Sequence, residues 1–552
     1  MKHYTVRFLP EDRRISIRAG ATLLEAAFEA GVALDSVCGG AGTCGKCILI
    51  LPDSTRIQAC RHTVDSDLTV TVPGTAALSA DRILQHGASG DVAVEPAVRK
   101  VLLQDSPRPA TAVIMADAAD PWTTAAVEPG DTTGRIFGVA VDVGTTTVVA
   151  RLLNLTDGAC LATAAIANPQ IPFGDDVVSR IAHAISEAGR NRLQQAVLSG
   201  IADLIHKLCI ASRTCETDIY EVVAAGNTTM THLLLGLPVE SLGQAPYHAY
   251  CLDPQQRPAA QMGLPVNPTA VLYTIANIAG FVGADTTAVA LAVGMDRMEP
   301  MTLVIDIGTN GEVILGTHER MYAASCAAGP AFEGARISQG SRAVDGAIES
   351  VFAADGDIDM DVIGASPARS ICGSGLLDAV AVLLDLGILD QTGRFAEPDA
   401  LSAGVPTAIR RRLMVKDGQP AFALTPAAQQ PGVVLTQRDI REMQLAKAAI
   451  RTGIEMLLSK AGLAAADVEQ VLLAGGFGNY IRRESALRIG LLPAVDPARI
   501  RFVGNAALGG AQMVLLNRHC RRLSADLARR IKYVEIAHEK GFQDVFADCL
   551  RF

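Results

Sequence analysis

Apolar and polar positions alternate along "YTVRFLP" and "RRISIRAG", which predicts two short strands at the start of the chain. The next stretch, "ATLLEAAFEAGV", has helical spacing and ends at Gly31, a natural helix stop. "CILILPDS" and "DLTVTVP" predict further strands, giving a small sheet with one helix over residues 1–74. From Pro73 to about Gly134 the pattern loosens. Residues 75–97 are small, polar and glycine-bearing and are expected to form a linker. In the short middle segment, 98–135, "AVRKVLLQ" and "TAVIMADAADPW" suggest either a strand-and-helix unit or locally packed linker, with Trp122 as a packing anchor.

Beyond this point, continuous apolar runs mark strands buried on both faces. "GRIFGVAVDVGTTTVVARLLNL" reads as strand, tight turn, strand, and "MTLVIDIGTNGEVILGT" repeats the design about 160 residues later. "VEQVLLAGGFGNYI" is a strand running into glycines, and "REMQLAKAAIRTGI" has helical spacing. The repeat divides the rest of the chain into halves at 136–295 and 296–552. The fold class expected is multidomain α/β: a small N-terminal sheet domain followed by a larger, duplicated α/β domain.

Composition narrows the function. The chain has 552 residues, 49% of them apolar but only 4% aromatic, as in α/β cores rich in Ala, Val and Leu. A net charge of −10 gives no footprint for nucleic acid, and the basic spots Arg410 to Arg412 and Arg521 to Arg522 read as solvated helix faces. No apolar run is long enough to span a membrane, and the N-terminus lacks a signal-peptide core, so a cytoplasmic protein without membrane partners is expected.

Candidate chemistry is concentrated in three places. Four of the twelve cysteines follow the spacing C-x5-C-x2-C-x12-C, at Cys38, Cys44, Cys47 and Cys60. Four thiolates hold either zinc or a [2Fe–2S] pair, and three on one loop with a distant fourth favour the plant-type iron–sulfur arrangement. Intervening glycines let backbone amides approach the sulfurs. The two D-x-G-T turns carry Asp142, Gly144, Thr145 and Thr146, and then Asp306, Gly308, Thr309, Asn310, Gly311 and Glu312. Glycine lets amides approach phosphate oxygens, hydroxyl and amide side chains donate to them, and an aspartate holds Mg²⁺. The third place is Gly475, Gly476 and Gly478, suited to a loop against a nucleoside.

The order D-x-G-T, D-x-G-T, A-G-G-F-G, with "VVAAGNTTM" and "VGNAALGGA" between and after, resembles the actin, sugar-kinase and heat-shock ATPase superfamily. With the cysteine domain, and with "NPQIPFGDDVVSRI", "SCAAGPAFEGARISQG", "ICGSGLLDAV" and "AGGFGNYIRRESALRIGLLP", the chain resembles the reductive activators of corrinoid-dependent enzymes. The resemblance implies an N-terminal β-grasp, ferredoxin-like domain followed by a duplicated actin-like (ribonuclease H-like) ATPase domain, with a middle segment expected to be abbreviated relative to that family. The resemblance implies an ATP-hydrolysing one-electron donor that returns a corrinoid protein from Co(II) to Co(I) in a methyl-transfer system. Its cofactors would be a [2Fe–2S] cluster, ATP and Mg²⁺. Its partners would be a corrinoid protein and an external low-potential donor, and a homodimer fits the family. An uphill gap of roughly 100–200 mV corresponds to about 2.4–4.7 kcal/mol per electron, large enough to require coupling to ATP.

By the same resemblance Asp142 and Asp306 are metal–phosphate carboxylates, and Glu312 is either a water-positioning base or a strand-end ion-pair partner. Lys447 either approaches adenosine or is a helix-surface charge. Cys326 and Cys372 are buried thiols or, less simply, ligands of a second cluster, and His232 and His248 read as structural. Activation of another low-potential enzyme, a nucleotide-regulated electron carrier and a small-molecule kinase are the competing functions.

Overall fold

The computed structural model describes residues 3–10, 12–30, 32, 34, 47–72, 92–103, 108–116, 120–364, 366–426, 432–475 and 481–552. The chain divides into two compact units: the described residues within 3–72, 92–288 and 510–525 form the first, and those within 289–509 and 526–552 the second.

The first unit begins with β1 (His3–Leu9), β2 (Arg13–Arg18), α1 (Leu23–Glu29), β3 (Ile48–Ile50), β4 (Arg56–Gln58) and β5 (Leu68–Thr71). They form a sheet of order β2-β1-β5-β3-β4 in which only β1 and β5 run parallel, as in a β-grasp fold. Val6, Phe8, Leu23, Leu49 and Val70 fill its small core. β4 lies in "TRIQAC", too short and polar for periodicity to reveal.

The middle segment is an antiparallel sheet of β6 (Val98–Leu103), β7 (Ala110–Met115) and β8 (Thr123–Pro129). This corrects the strand-and-helix expectation: β-branched residues favour extended chain throughout, and Pro121 opposes a helix over the preceding stretch. Trp122 does anchor it, with the Arg99 and Arg518 guanidinium groups each 4.8 Å from its ring centre. The expected linker at 75–97 is largely outside the described residues.

A six-stranded sheet follows, from β9 (Phe137–Val143), β10 (Thr147–Asn154), β11 (Cys160–Ala167), β12 (Ile219–Gly226), β13 (Gln255–Pro258) and β14 (Val271–Thr274), in order β11-β10-β9-β12-β14-β13. Helices α2 (Val177–Ala184), α3 (Glu187–Ser212), α4 (Thr228–Leu235) and α5 (Ala284–Ala292) accompany it. Long α3 is capped by Ser186 and closes at Arg213 in the left-handed region, φ 57°.

The second unit contains β15 (Thr302–Ile307), β16 (Gly311–Gly316), β17 (Met321–Cys326), one small sheet of β18 (Ala347–Ala354), β19 (Asp357–Val362) and β20 (Ser370–Ile371), then α6 (Gly373–Asp385) and α7 (Thr407–Arg410). β21 (Leu413–Lys416), β22 (Gln419–Ala423) and β23 (Val434–Thr436) lead into α8 (Gln437–Ala461), β24 (Gln470–Ala474), α9 (Arg483–Arg488) and β25 (Ile500–Gly504). α10 (Ala506–Leu516) and α11 (His519–Arg530), most of whose residues belong to the first unit, precede β26 (Ile531–Tyr533) and α12 (Phe542–Cys549). The main sheet has order β25-β24-β15-β16-β17-β26.

Numbering the strands of each main sheet in chain order, both sheets contain the succession third, second, first, fourth, with an antiparallel meander beside parallel strands. Duplication of a ribonuclease H-like fold is therefore visible in topology as well as in the repeated turn. The two basic spots are only in part solvated faces, with Arg411 and Arg522 exposed but one arginine of each spot buried. Buried Arg412 makes a bidentate 2.7 Å pair with Asp357, and buried Arg521 pairs with Glu221.

Candidate functional site

In the first unit, the β9–β10 hairpin places half-buried Asp142 next to the end of an otherwise buried strand and turns through Gly144, Thr145 and Thr146. A Cβ on Gly144 would lie 2.7 Å from the Thr147 carbonyl oxygen, so only glycine allows this turn. The turn's carbonyl groups are held from behind. Asn168 donates through Nδ2 to Gly144 O (2.8 Å) and through its backbone N–H to Thr146 O (2.9 Å), while Arg180 Nη2 donates to Thr145 O. With these negative ends bonded to protein, the turn does not oppose an anion with its own carbonyls.

Arg180 is the centre of this support. Its side chain is 0% exposed, yet Nε donates to Gly174 O (2.8 Å) and Nη1 to Oε1 of buried Gln170 (3.2 Å). A guanidinium held beneath the turn also contributes a positive field in low dielectric. Asn227 completes the arrangement: Oδ1 caps α4 at Met230 N, and Nδ2 donates to Thr145 Oγ1 at 2.9 Å. Gly283 packs so tightly on Asn227 that an added Cβ would sit 2.4 Å from its Cα.

Two residues beyond Gly283, Asp285 opens α5 and accepts from Thr286 N (2.6 Å) and Thr286 Oγ1 (3.3 Å). Burial raises its carboxyl from the ordinary aspartate range to about 6. Arg180, Asn168, Asn227 and Asp285 were not singled out from sequence; "VGAD" at a helix start was the signal available for Asp285.

In the second unit, the β15–β16 hairpin sets Asp306 directly across from Glu312, which in turn faces Ser325 on β17. Cross-strand partners of this kind have Cβ atoms about 4.5–5.5 Å apart, and like charges there repel. Glu312 is buried, and its charge together with burial raises the Cys326 thiol. Two carboxylates in one row are a donor set suited to a hard divalent cation. Thr309 Oγ1 donates to Glu333 Oε1 at 2.6 Å, which fixes the turn's apex side chain.

Gly475, at φ +93°, lies against this turn: a Cβ there would be 2.6 Å from Asp306 Oδ1 and from Ile307 O. Gly476 and Gly478 lie outside the described residues. Gly311 serves packing, since its Cβ would come within 2.7 Å of Ile450 on α8.

Lys447 is not a helix-surface charge. It is 1% exposed, Nζ donates to the Arg551 carbonyl, and Nζ stands 5.4 Å from the Phe552 ring centre. Burial lowers its amine to about 8.

In the cysteine domain, Cys38 and Cys44 lie outside the described residues, whereas the Cys47 and Cys60 sulfurs are 3.3 Å apart. That is too long for a disulfide and close to the roughly 3.8 Å edge of a tetrahedral metal–thiolate site with ~2.3 Å bonds. These two thiols fit ligation of one metal ion. Cys326 and Cys372 are buried, and burial raises both thiols, which disfavours thiolate formation at either position. His232 is structural: Nδ1 contacts Thr228 O at 2.7 Å, and Nε2 accepts from Cys251 N at 3.2 Å.

Comparison with known proteins finds three family models along the chain. Residues 6–68 match the 2Fe-2S iron-sulfur cluster binding domain, 137–298 the RACo middle region, and 300–552 the C-terminal domain of RACo, the ASKHA domain. The corrinoid activation enzyme RamQ of Eubacterium limosum is 33% identical over 562 aligned residues, covering 94% of this chain and 93% of that protein. A Methanosarcina barkeri [Co(II) methylated amine-specific corrinoid protein] reductase is 24% identical over 69% of this chain and 70% of its own length. A solved reductive activator for corrinoid, iron-sulfur protein superposes with a TM-score of 0.75 at 31% identity, covering 100% of this chain and 98% of the other. On its ferredoxin-type domain, its duplicated ATPase fold and these full-length similarities, the chain belongs to the family of reductive activators of corrinoid proteins.

Proposed function

We propose that this protein couples ATP hydrolysis to one-electron reduction of a corrinoid protein, taking the substrate cobalt from Co(II) to Co(I). The carrying observation is the joining, in one chain, of a cysteine domain whose Cys47 and Cys60 thiols are set for one metal ion to a duplicated fold with two braced D-x-G-T turns. Each cycle moves one electron to cobalt, while ATP and water become ADP and phosphate. A [2Fe–2S] group, when bound, stores and passes single electrons.

Cys38, Cys44, Cys47 and Cys60 are assigned as its ligands. Gly144, Thr145, Thr146, Gly308, Thr309 and Asn310 are assigned to phosphate, and Gly475, Gly476 and Gly478 to the nucleoside. Asp142 and Asp306 would hold Mg²⁺ with the phosphates; Glu312, across from Asp306, would orient water or share the cation. Lys447 acts from behind, holding the C-terminal residues against α8. The external reductant is a low-potential donor, the working form a homodimer, and the compartment the cytoplasm. No described helix is long and apolar enough to cross a membrane.

The test uses anaerobic protein, a reductant and a Co(II) corrinoid protein. Co(I) absorption should rise on adding MgATP and be lost in Asp142→Ala with the iron–sulfur spectrum unchanged. Equal Co(I) formation by Asp142→Ala would defeat the assignment.

A further inference from the structure

The Cys47 and Cys60 sulfurs, 3.3 Å apart, suit a second chemistry besides holding a metal, which is bonding to each other. The sheet sets the pair. Cys47 immediately precedes β3, Cys60 follows β4 by two residues, and Ile48 and Gln58 are cross-strand partners between them. Beyond that pair, Ala59 N donates to Cys47 O at 2.7 Å, and Gln58 O accepts from Arg61 N and His62 N. From α1, Leu23 N donates to His62 O and Leu24 N to Ala59 O, which fixes the chain on both sides of Cys60. The two thiols are thus kept adjacent by bonds of the protein backbone to itself.

Closing 3.3 Å to the ~2.05 Å of a sulfur–sulfur bond takes a shift of about 1.2 Å, within reach of rotation about the side-chain bonds. The two sulfurs differ in access. Cys47 is 0% exposed, in the small core with Leu49 and Ala59, whereas Cys60 is half-buried. A dissolved disulfide meets Cys60 first, and Cys47 stands behind it as the resolving thiol.

We propose that, when the iron–sulfur group is lost, this domain closes a reversible Cys47–Cys60 disulfide that gates reloading of the metal. The oxidant is a low-molecular-weight disulfide, the class of oxidised glutathione. The Cys60 thiolate attacks one of its sulfurs, forming a mixed disulfide and releasing one glutathione thiolate. The Cys47 thiolate then attacks the Cys60 sulfur and releases the second. Two protein thiols are oxidised, one disulfide is reduced to two thiols, and the two protons pass to the released glutathione. The closed pair offers no thiolate to a metal, so a reductant must reopen it before the site can be filled. Sulfurs bonded to each other are also spared irreversible oxidation to sulfinic and sulfonic acids. The proposal rests on assigning Cys47 and Cys60 to the metal; neither ATP nor cobalt enters its test.

Metal-free full-length protein, prepared by anaerobic chelation, is incubated with oxidised glutathione, alkylated and mapped by peptide mass spectrometry. The expected product is an intramolecular cross-link between Cys47 and Cys60. Zn²⁺ serves as the metal probe: its affinity, read with a chromogenic indicator, should be at least about tenfold weaker before treatment with a phosphine reductant than after it. Cys47→Ser, which lacks the resolving thiol, should instead accumulate a glutathione adduct at Cys60. A lasting adduct at Cys60 in the wild type, a dominant cross-link to Cys38 or Cys44, or equal Zn²⁺ affinity before and after reduction would overturn the proposal.

Discussion

Replacing Arg180 by methionine keeps most of the side chain's volume and removes the donors that brace the first phosphate turn. Three oxygen acceptors lose them, Gly174 O, Gln170 Oε1 and Thr145 O, as does the weaker acceptor Met230 Sδ, around a side chain that is 0% exposed. Each buried acceptor left unsatisfied costs about 1–3 kcal/mol, for a gross loss of roughly 3–9 kcal/mol. Relief of the guanidinium's desolvation offsets several kcal/mol of this, leaving an expected net destabilisation of about 2–4 kcal/mol. The functional loss is separate: Thr145 O is no longer held away from an incoming phosphate, and the positive field beneath the turn is gone. ATP affinity should fall at least tenfold, about 1.4 kcal/mol.

Arg180→Lys retains the charge but has no planar fork to serve three acceptors, so it should fall between the two. Denaturant unfolding, nucleotide calorimetry and the iron–sulfur absorbance on one preparation separate these effects. Wild-type ATP affinity in folded Arg180→Met would refute the bracing argument.

Other substitutions test other parts of the account. Lys447 has its amine lowered from 10.5 to about 8, so the unfolded chain binds the proton more readily. Stability should therefore be fullest above pH ~10.5, fall as pH drops towards 8, and level off below, by up to about 3 kcal/mol; Lys447→Met should abolish that slope in denaturant titrations. Asp285 behaves in the opposite sense. With its carboxyl raised to about 6, its contribution is present below the ordinary value of 3.8 and lost as pH rises through 6, so Asp285→Asn should stabilise the protein at pH 7 by up to about 3 kcal/mol. Gly311→Ala should cost about 1–3 kcal/mol, because its methyl meets Ile450 at 2.7 Å; an unfolding midpoint equal to wild type would disprove the packing role. Cys60→Ser should remove the visible iron–sulfur absorption while leaving nucleotide affinity intact.

Legibility in the sequence followed the range of the interaction. Strands β1, β2, β9, β10, β15 and β16 announce themselves through local apolar patterning, and the D-x-G-T turns through residues confined to a few positions. The cysteine spacing is equally local. Support from a distance is not. Arg180 lies 35 residues from the Thr145 carbonyl it holds, in a helix whose pattern looks merely amphipathic. Lys447 reads as an adenosine contact or a solvated charge because its partner at Arg551 is 104 residues away. Arg521 and Glu221, 300 residues apart, follow the same rule. The middle sheet was obscured by short strands whose exposed faces carry apolar residues such as Val101 and Val127, which blurs the two-residue alternation.

The most direct test of the central claim is a single turnover. Protein with its iron–sulfur group reduced is mixed with a Co(II) corrinoid protein, with MgATP, with a non-hydrolysable analogue, or with no nucleotide. The account predicts that Co(I) accumulates in step with phosphate release and only in the MgATP sample. The same yield of Co(I) without nucleotide would contradict it.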